Sequence, residues 1–254
     1  MKLWPTAACG VLALLLALGG LAFLSQRNAG HDPGLSDIVS VAAAPDYQDP
    51  TLIERAWALP VAALYRENGY EAQANPSFCG PTSAANVVQS LGRDVNQRTV
   101  IVGTPISTLF GYAMSWEYGP GVTLDQEAEL LRVATGQPVE ILRGLDIEAF
   151  RAELRQANDP RFRYVANFDR APLWGAGHGH ISPILGYLEA EDLVFVGDVN
   201  DAYGPFLTSP ERLLDAMNTT DSASDELRGL LRVGPVQVTQ SNAWDLVGGG
   251  RASA

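Results

Sequence analysis

Cysteine, histidine and lysine are all scarce in this sequence. Of 254 residues only two are cysteine, Cys9 and Cys79, three are histidine, His31, His178 and His180, and one is lysine, Lys2. Two cysteines cannot build a disulfide framework, and so few thiols and imidazoles hardly supply a four-ligand structural zinc site. Haem attached through paired cysteines and Cys-ligated iron–sulfur clusters are excluded too. Positive charge is also short. Against 29 acidic side chains stand 17 basic ones, a formal charge of −12, which argues against a surface that tracks nucleic-acid phosphates. With 46% hydrophobic and 18% charged residues the chain is not compositionally disordered and is long enough to bury a sizeable core.

Only one apolar run is long. It lies behind Lys2, over residues 3–25, and is at the border between a cleaved signal peptide and an uncleaved signal anchor, since roughly 20 apolar residues span a bilayer. Either form predicts an exported, periplasmic protein, with the membrane as a partner if the segment stays attached. Cys9 precedes the run, so it does not fit a lipid-attachment cysteine. Residues 26–46 are polar and rich in Gly, Pro and Asp, and read as a linker; residues 239–254 read as a flexible tail. Between them, residues 47–238 are expected to form one catalytic domain.

Within that domain the pattern predicts helices over 79–91, from a capping box at Thr123 and Gln126 to 134, over 147–156, and over 210–217. Strand composition marks 163–168, 180–188 and 192–198. The last two are separated by Glu189-Ala-Glu191, a hairpin spacing. If Leu188 faces Asp192, partner numbers sum to 380, and Asp198 falls opposite Ser182, one pleat from His180. Helices leading and an antiparallel sheet following make an α+β domain.

A free cysteine is ordinarily a small buried hydrophobe. Cys79, however, opens a predicted helix, where unpaired N–H groups and the macrodipole favour thiolate. Gly80 beside it lets a backbone approach closely, and Pro81 suits a first helical turn. A thiolate nucleophile needs a base, and the base an orienting group. His31 is in the linker, which leaves His178 and His180 in the glycine-rich approach to a strand. Asp198 supplies the third member, although a turn former is its plainer reading. Cysteine on a helix, with histidine and aspartate on adjacent strands, is the papain-type arrangement.

Several strings together resemble the catalytic domain of the phytochelatin synthase family. They are Gln73-Ala-Asn-Pro-Ser-Phe-Cys-Gly80, Gly121-Val-Thr123, His180-Ile-Ser-Pro-Ile-Leu-Gly-Tyr187, Leu193-Val-Phe-Val-Gly-Asp-Val199, Ala216-Met-Asn-Thr-Thr-Asp221 and Arg228-Gly-Leu230, running in family order from about residue 60 to 234. The resemblance implies a papain-like fold acting on glutathione. It selects His180 over His178 and assigns Cys79 as nucleophile, His180 as acid–base and Asp198 as orienting group. It makes Gln73 an oxyanion donor and places Asp221 and Arg228 at the substrate's γ-glutamyl end. It implies transfer of γ-glutamylcysteine to a second glutathione or to water. It also carries the family's association with heavy-metal response and metal-ion binding. Cd²⁺ or Zn²⁺ would then enter as a glutathione thiolate rather than through a dedicated protein site, and no other cofactor is implied. Asp201 stands where the family often has arginine, with Tyr203 displaced from the usual tyrosine position, which puts the second-substrate site in doubt. The rivals are another papain-like peptidase, such as a leader-peptide processing protease, and a non-catalytic anchored binding module.

Overall fold

The computed structural model describes residues 38–104 and 121–236. After a 3₁₀ turn at Val41–Ala43, the first described α-helices are α1 (Pro50–Trp57) and α2 (Pro60–Asn68), each opening on a proline whose missing N–H would have no helical partner. Asp49 caps α1, accepting from Thr51 N–H and Leu52 N–H. Next come α3 (Cys79–Gln89), α4 (Leu124–Thr135), β1 (Val139–Leu142), α5 (Ile147–Gln156), β2 (Arg163–Asp169) and the single turn α6 (Ala171–Trp174). The chain continues through β3 (Gly179–Leu188), β4 (Leu193–Gly197), β5 (Pro205–Thr208), α7 (Pro210–Met217), the pair β6 (Thr220–Asp221) and β7 (Glu226–Leu227), and β8 (Gly229–Val233).

The four predicted helices are present. α4 carries both halves of the Thr123–Gln126 capping box and stops at left-handed Gly136. α5 and α7 have the expected bounds, with Asp146 and Ser209 as caps.

Six strands form one antiparallel sheet in the order β1-β8-β2-β3-β4-β5. The last described strand, β8, inserts between β1 and β2. One core joins α1 to α4 with sheet residues that include Val165, Ile181, Phe195, Leu207 and Leu231. A second joins α5 and α7 with their sequence neighbours Tyr164, Ala166, Val194, Phe206 and Leu230. Successive strand residues thus alternate between two dry faces, which is why these strands read as unbroken apolar runs. The fold is α+β, as expected, with the refinement that later helices cover the sheet's far face.

The hairpin between β3 and β4 departs from its predicted register and then returns to it. Leu188 pairs with Leu193, so the connection has four residues and partner numbers sum to 381. Asp192 leaves the ladder with φ 54°, a conformation aspartate tolerates, and its carboxylate meets Arg151 at 2.6 Å. An irregularity between Ile184 and Gly186 then absorbs one residue, so that Ile184 pairs with Val196 and the sum is again 380. Without that bulge Asp198 would be out of register with Ser182.

Two expectations are corrected. Among the described residues no helix is long and apolar enough to cross a membrane. The apolar run over residues 3–25 lies outside the described residues, as do Cys9, His31 and the tail over 239–254. Signal anchor, membrane partner and periplasmic location therefore have no structural footing and are not carried further. Metal-ion binding by the protein is corrected too: among the described residues no group of three or more His, Cys, Asp or Glu could hold a metal ion.

Candidate active site

Cys79 is the first residue of α3, buried and free. Ser83, one turn on, fastens this helix end to the sheet. Its Oγ lies 2.7 Å from Cys79 O and 3.0 Å from Ile181 O, which places the thiol beside the residue following His180. Gly80 is needed for packing. A Cβ there would stand 2.2 Å from Val122 Cγ2 and 2.7 Å from Glu127 Oε2, so the close approach at this glycine is made by side chains and not by the backbone expected there.

His180 is buried near the start of β3 and pairs with Phe168 of β2, whose ring meets the imidazole edge to face. Its Nε2 lies 2.9 Å from Asp198 Oδ1 and 2.8 Å from Ser182 Oγ. That leaves Nδ1 for the hydrogen bond with Cys79. Ser182 also accepts from Val199 N–H at 3.2 Å, which ties the strand past the end of β4 back to β3. Arg170, unremarked in the sequence, holds the other side of Asp198. Its Nη2 donates to Oδ1 at 2.9 Å and its Nη1 lies 2.8 Å from Oδ2. The guanidinium is packed over the rings of Tyr203 and Trp174, 3.7 and 5.2 Å from their centroids. Tyr203, displaced from the expected position, is therefore used as a lid on Arg170.

These contacts set the charge states. Burial alone would raise the Cys79 thiol, but the hydrogen bond and charge of His180, with the N–H groups of Ile181 and Gly80, outweigh it and hold the thiol below its ordinary value. Burial disfavours the His180 imidazolium, yet the Asp198 carboxylate prevails and raises it. Asp198 itself is brought down to about 2 against its desolvation by His180 and Arg170. A lowered thiol beside a raised imidazole is the condition for a thiolate–imidazolium pair, which can attack an acyl carbon and return a proton to the leaving group.

Gln73 stands on the loop before α3. Its N–H donates to Val199 O at 2.7 Å, and its side-chain amide donates to Asn75 O at 2.9 Å while Oε1 is buried without a partner. The loop is clamped by Asn86, which bonds the backbone of Glu71 on both sides, and by Gln97, which accepts from Ala74 N–H.

Asp221 and Arg228 are both buried rather than solvated, with Nη1 3.4 Å from Oδ2. Asn167 joins them, accepting from Arg228 Nη1 at 2.9 Å, and Asp169 lies 4.0 Å away. The guanidinium lies flat against Gly179, where a Cβ would come within 2.3 Å of Nη1, so this cluster adjoins His180. Arg228 Nε is a buried donor without a partner. Asn167 was legible as a polar residue on the same inward face of β2 as Val165. Nothing marked Arg170 among sixteen arginines. His178 is exposed, and only its carbonyl is engaged, with Arg170 N–H at 3.2 Å.

The phytochelatin synthase family profile matches residues 50–230. The chain belongs to the phytochelatin synthase family. It is 29% identical over 184 residues to glutathione gamma-glutamylcysteinyltransferase 1 of Triticum aestivum, covering 65% of this chain and 34% of that protein. It is 25% identical over 184 residues to glutathione gamma-glutamylcysteinyltransferase 2 of Arabidopsis thaliana, covering 65% of this chain and 38% of that one. The chain thus spans about a third of the length of the curated relatives it matches. Among solved structures it is similar to the peptidase domain of Streptococcus ComA, with TM-score 0.43 and 16% identity over 66% of this chain and 100% of that one. A putative C39-like peptidase from Bacillus anthracis gives TM-score 0.46 and 15% identity over 68% of this chain and 96% of that one.

Proposed function

We propose that this member of the phytochelatin synthase family is a cysteine acyltransferase that cleaves the Cys–Gly bond of glutathione. The observation that carries the reading is the buried line of thiol, imidazole and carboxylate from Cys79 through His180 to Asp198. The relatives' names supply the substrate class. The Cys79 thiolate attacks the cysteinyl carbonyl carbon and the carbonyl electrons move to oxygen. The Cys79 N–H at the start of α3 and the Gln73 amide then hold that oxyanion, an oxyanion donor being worth about 2.7–4 kcal/mol. As the C–N bond breaks, His180 gives its proton to the departing glycine amine, leaving a γ-glutamylcysteinyl thioester. Asp198 keeps the imidazole oriented and stabilises its charged form. The ammonium and carboxylate of the γ-glutamyl end suit Asp221 and Arg228, with the free Arg228 Nε as a further donor.

The acyl group then passes to the amine of a second glutathione, which loses a proton to His180 and extends the chain, or to water, which yields γ-glutamylcysteine. A Cd²⁺ or Zn²⁺ glutathione thiolate is a substrate form in this scheme, not a resident group. The test is glycine release from glutathione by the full chain and by Cys79→Ser, with and without Cd²⁺, and product analysis for (γ-Glu-Cys)₂-Gly. Loss of release in the variant is expected. Release at the wild-type rate would overturn the mechanism, and equal cleavage of peptides lacking a γ-glutamyl group would overturn the substrate assignment.

A further inference from the structure

Glu127 is an acid where the fold allows no charge. It sits on the same stripe of α4 as Leu124, Ala128 and Leu131 and is fully buried. Neither carboxyl oxygen has a hydrogen-bond partner, and among the described residues no cation pairs with it. A Cβ on Gly80, the residue that follows Cys79, would stand 2.7 Å from its Oε2, so the carboxyl abuts that glycine. α3 brings one titratable group to this interface, Cys79. On the strands packed against α4, Glu140 and Arg232 engage each other, and Arg232 also engages Glu153. On α4 itself Asp125 pairs with Arg143, and Glu129 with Arg132. Burial first, and then the charge of Cys79, push the Glu127 carboxyl well above its ordinary range. An unpaired carboxylate in such a place would cost several kcal/mol, so the side chain is a neutral acid.

We propose that Glu127 is a positioning residue that lets Cys79 stay ionic only while its own carboxyl keeps its proton. The proposal rests on the thiolate–imidazolium reading of Cys79 and His180. With Glu127 neutral, the group holds one negative charge on sulfur and one positive charge on the imidazole. When Glu127 loses its proton, a second negative charge appears beside the sulfur in a dry interior. The imidazolium proton then moves to sulfur, leaving thiol, neutral imidazole and carboxylate, one proton fewer in all. The site thus carries its own alkaline limit, set from behind the helix rather than by the triad.

The experiment follows the rate of Cys79 alkylation by iodoacetamide against pH in the full chain, with peptide mass spectrometry separating Cys79 from Cys9. Each protein is normalised to its own rate near neutrality. Wild type should lose reactivity on the alkaline side, whereas Glu127→Gln and Glu127→Met, which have no proton to lose, should keep it. At about pH 9 the difference should reach at least about threefold. A role confined to packing would not move the limb, so superimposable profiles in both variants overturn the proposal. Glycine release by wild type, measured in parallel, separates the two readings. Cleavage with superimposable limbs rejects the role of Glu127 alone, whereas a limb that vanishes in a chain that does not cleave glutathione rejects the catalytic reading alone.

Discussion

Replacing Asp198 by asparagine should be far from conservative here, although papain-like peptidases are known with asparagine as the third member. The Asp198 side chain is fully buried and surrounded by donors: His180 Nε2 at 2.9 Å, Arg170 Nη2 at 2.9 Å, Arg170 Nη1 at 2.8 Å, and Asn200 N–H at 2.8 Å. Three of these donors meet Oδ1, so an asparagine that keeps its oxygen there turns its NH₂ donor against Arg170 Nη1 in place of Oδ2. Arg170, itself buried, is left as a cation without a counter-charge. Breaking a buried pair from one side costs about 3–5 kcal/mol. The rings of Tyr203 and Trp174 offset part of this, about 1–2 kcal/mol for a desolvated cation on aromatic faces. The net expectation is a loss of about 1–4 kcal/mol in urea unfolding, together with a fall in glycine release on the order of 10²–10⁴ from imidazole misorientation. Arg170→Met added to Asp198→Asn should recover most of the stability and none of the activity, a positive coupling in the double-mutant cycle. A single variant as stable as wild type, or a cycle without coupling, would show that Arg170 does not depend on the carboxylate.

Acid titration probes the same carboxylate. Its folded value, about 2, is depressed from 3.8, so its contribution of about 2 kcal/mol is present above the unfolded value and lost as pH falls through the folded one. Between about pH 5 and 2, wild type should lose that much more stability than Asp198→Asn, and equal losses would place the shift elsewhere. Gly179→Ala should act on substrate binding. With 2.3 Å between the new Cβ and Arg228 Nη1, the guanidinium must move off Asn167. We expect KM for glutathione to rise about tenfold or more, in line with about 1.5–3 kcal/mol for a charged hydrogen bond, with kcat less affected. A kcat-only defect would remove Arg228 from the substrate's side of the site.

What was legible in the sequence was local. The Thr123–Gln126 box and the proline start at Pro210 are decided within one turn of chain, and the structure keeps them. Composition also sufficed to single out Cys79, since a rare thiol at a helix start is a local pattern. Glu127 left a local trace too, as an acid on the apolar stripe of α4, but what lies across that stripe was not readable. The hairpin shows where local rules run out. Spacing predicts a three-residue turn, whereas Asp192 is drawn to Arg151, 41 residues earlier, and the bulge below Gly186 restores the alignment.

The sequence by itself therefore determined the types of the elements it predicted, the α+β class and Cys79, because each rests on periodicity, capping or scarcity, whereas His180 was chosen over His178 by the family resemblance. Tertiary structure alone decided that Arg170 shares Asp198 with His180, that Asn167 and Gly179 shape the bed of Arg228, and that Glu127 stands behind the thiol. Those choices are pairings across 28 to 61 residues of chain and across packed faces. The energy of a buried charge depends on which partner arrives, and a sequence states the charges without stating who meets whom.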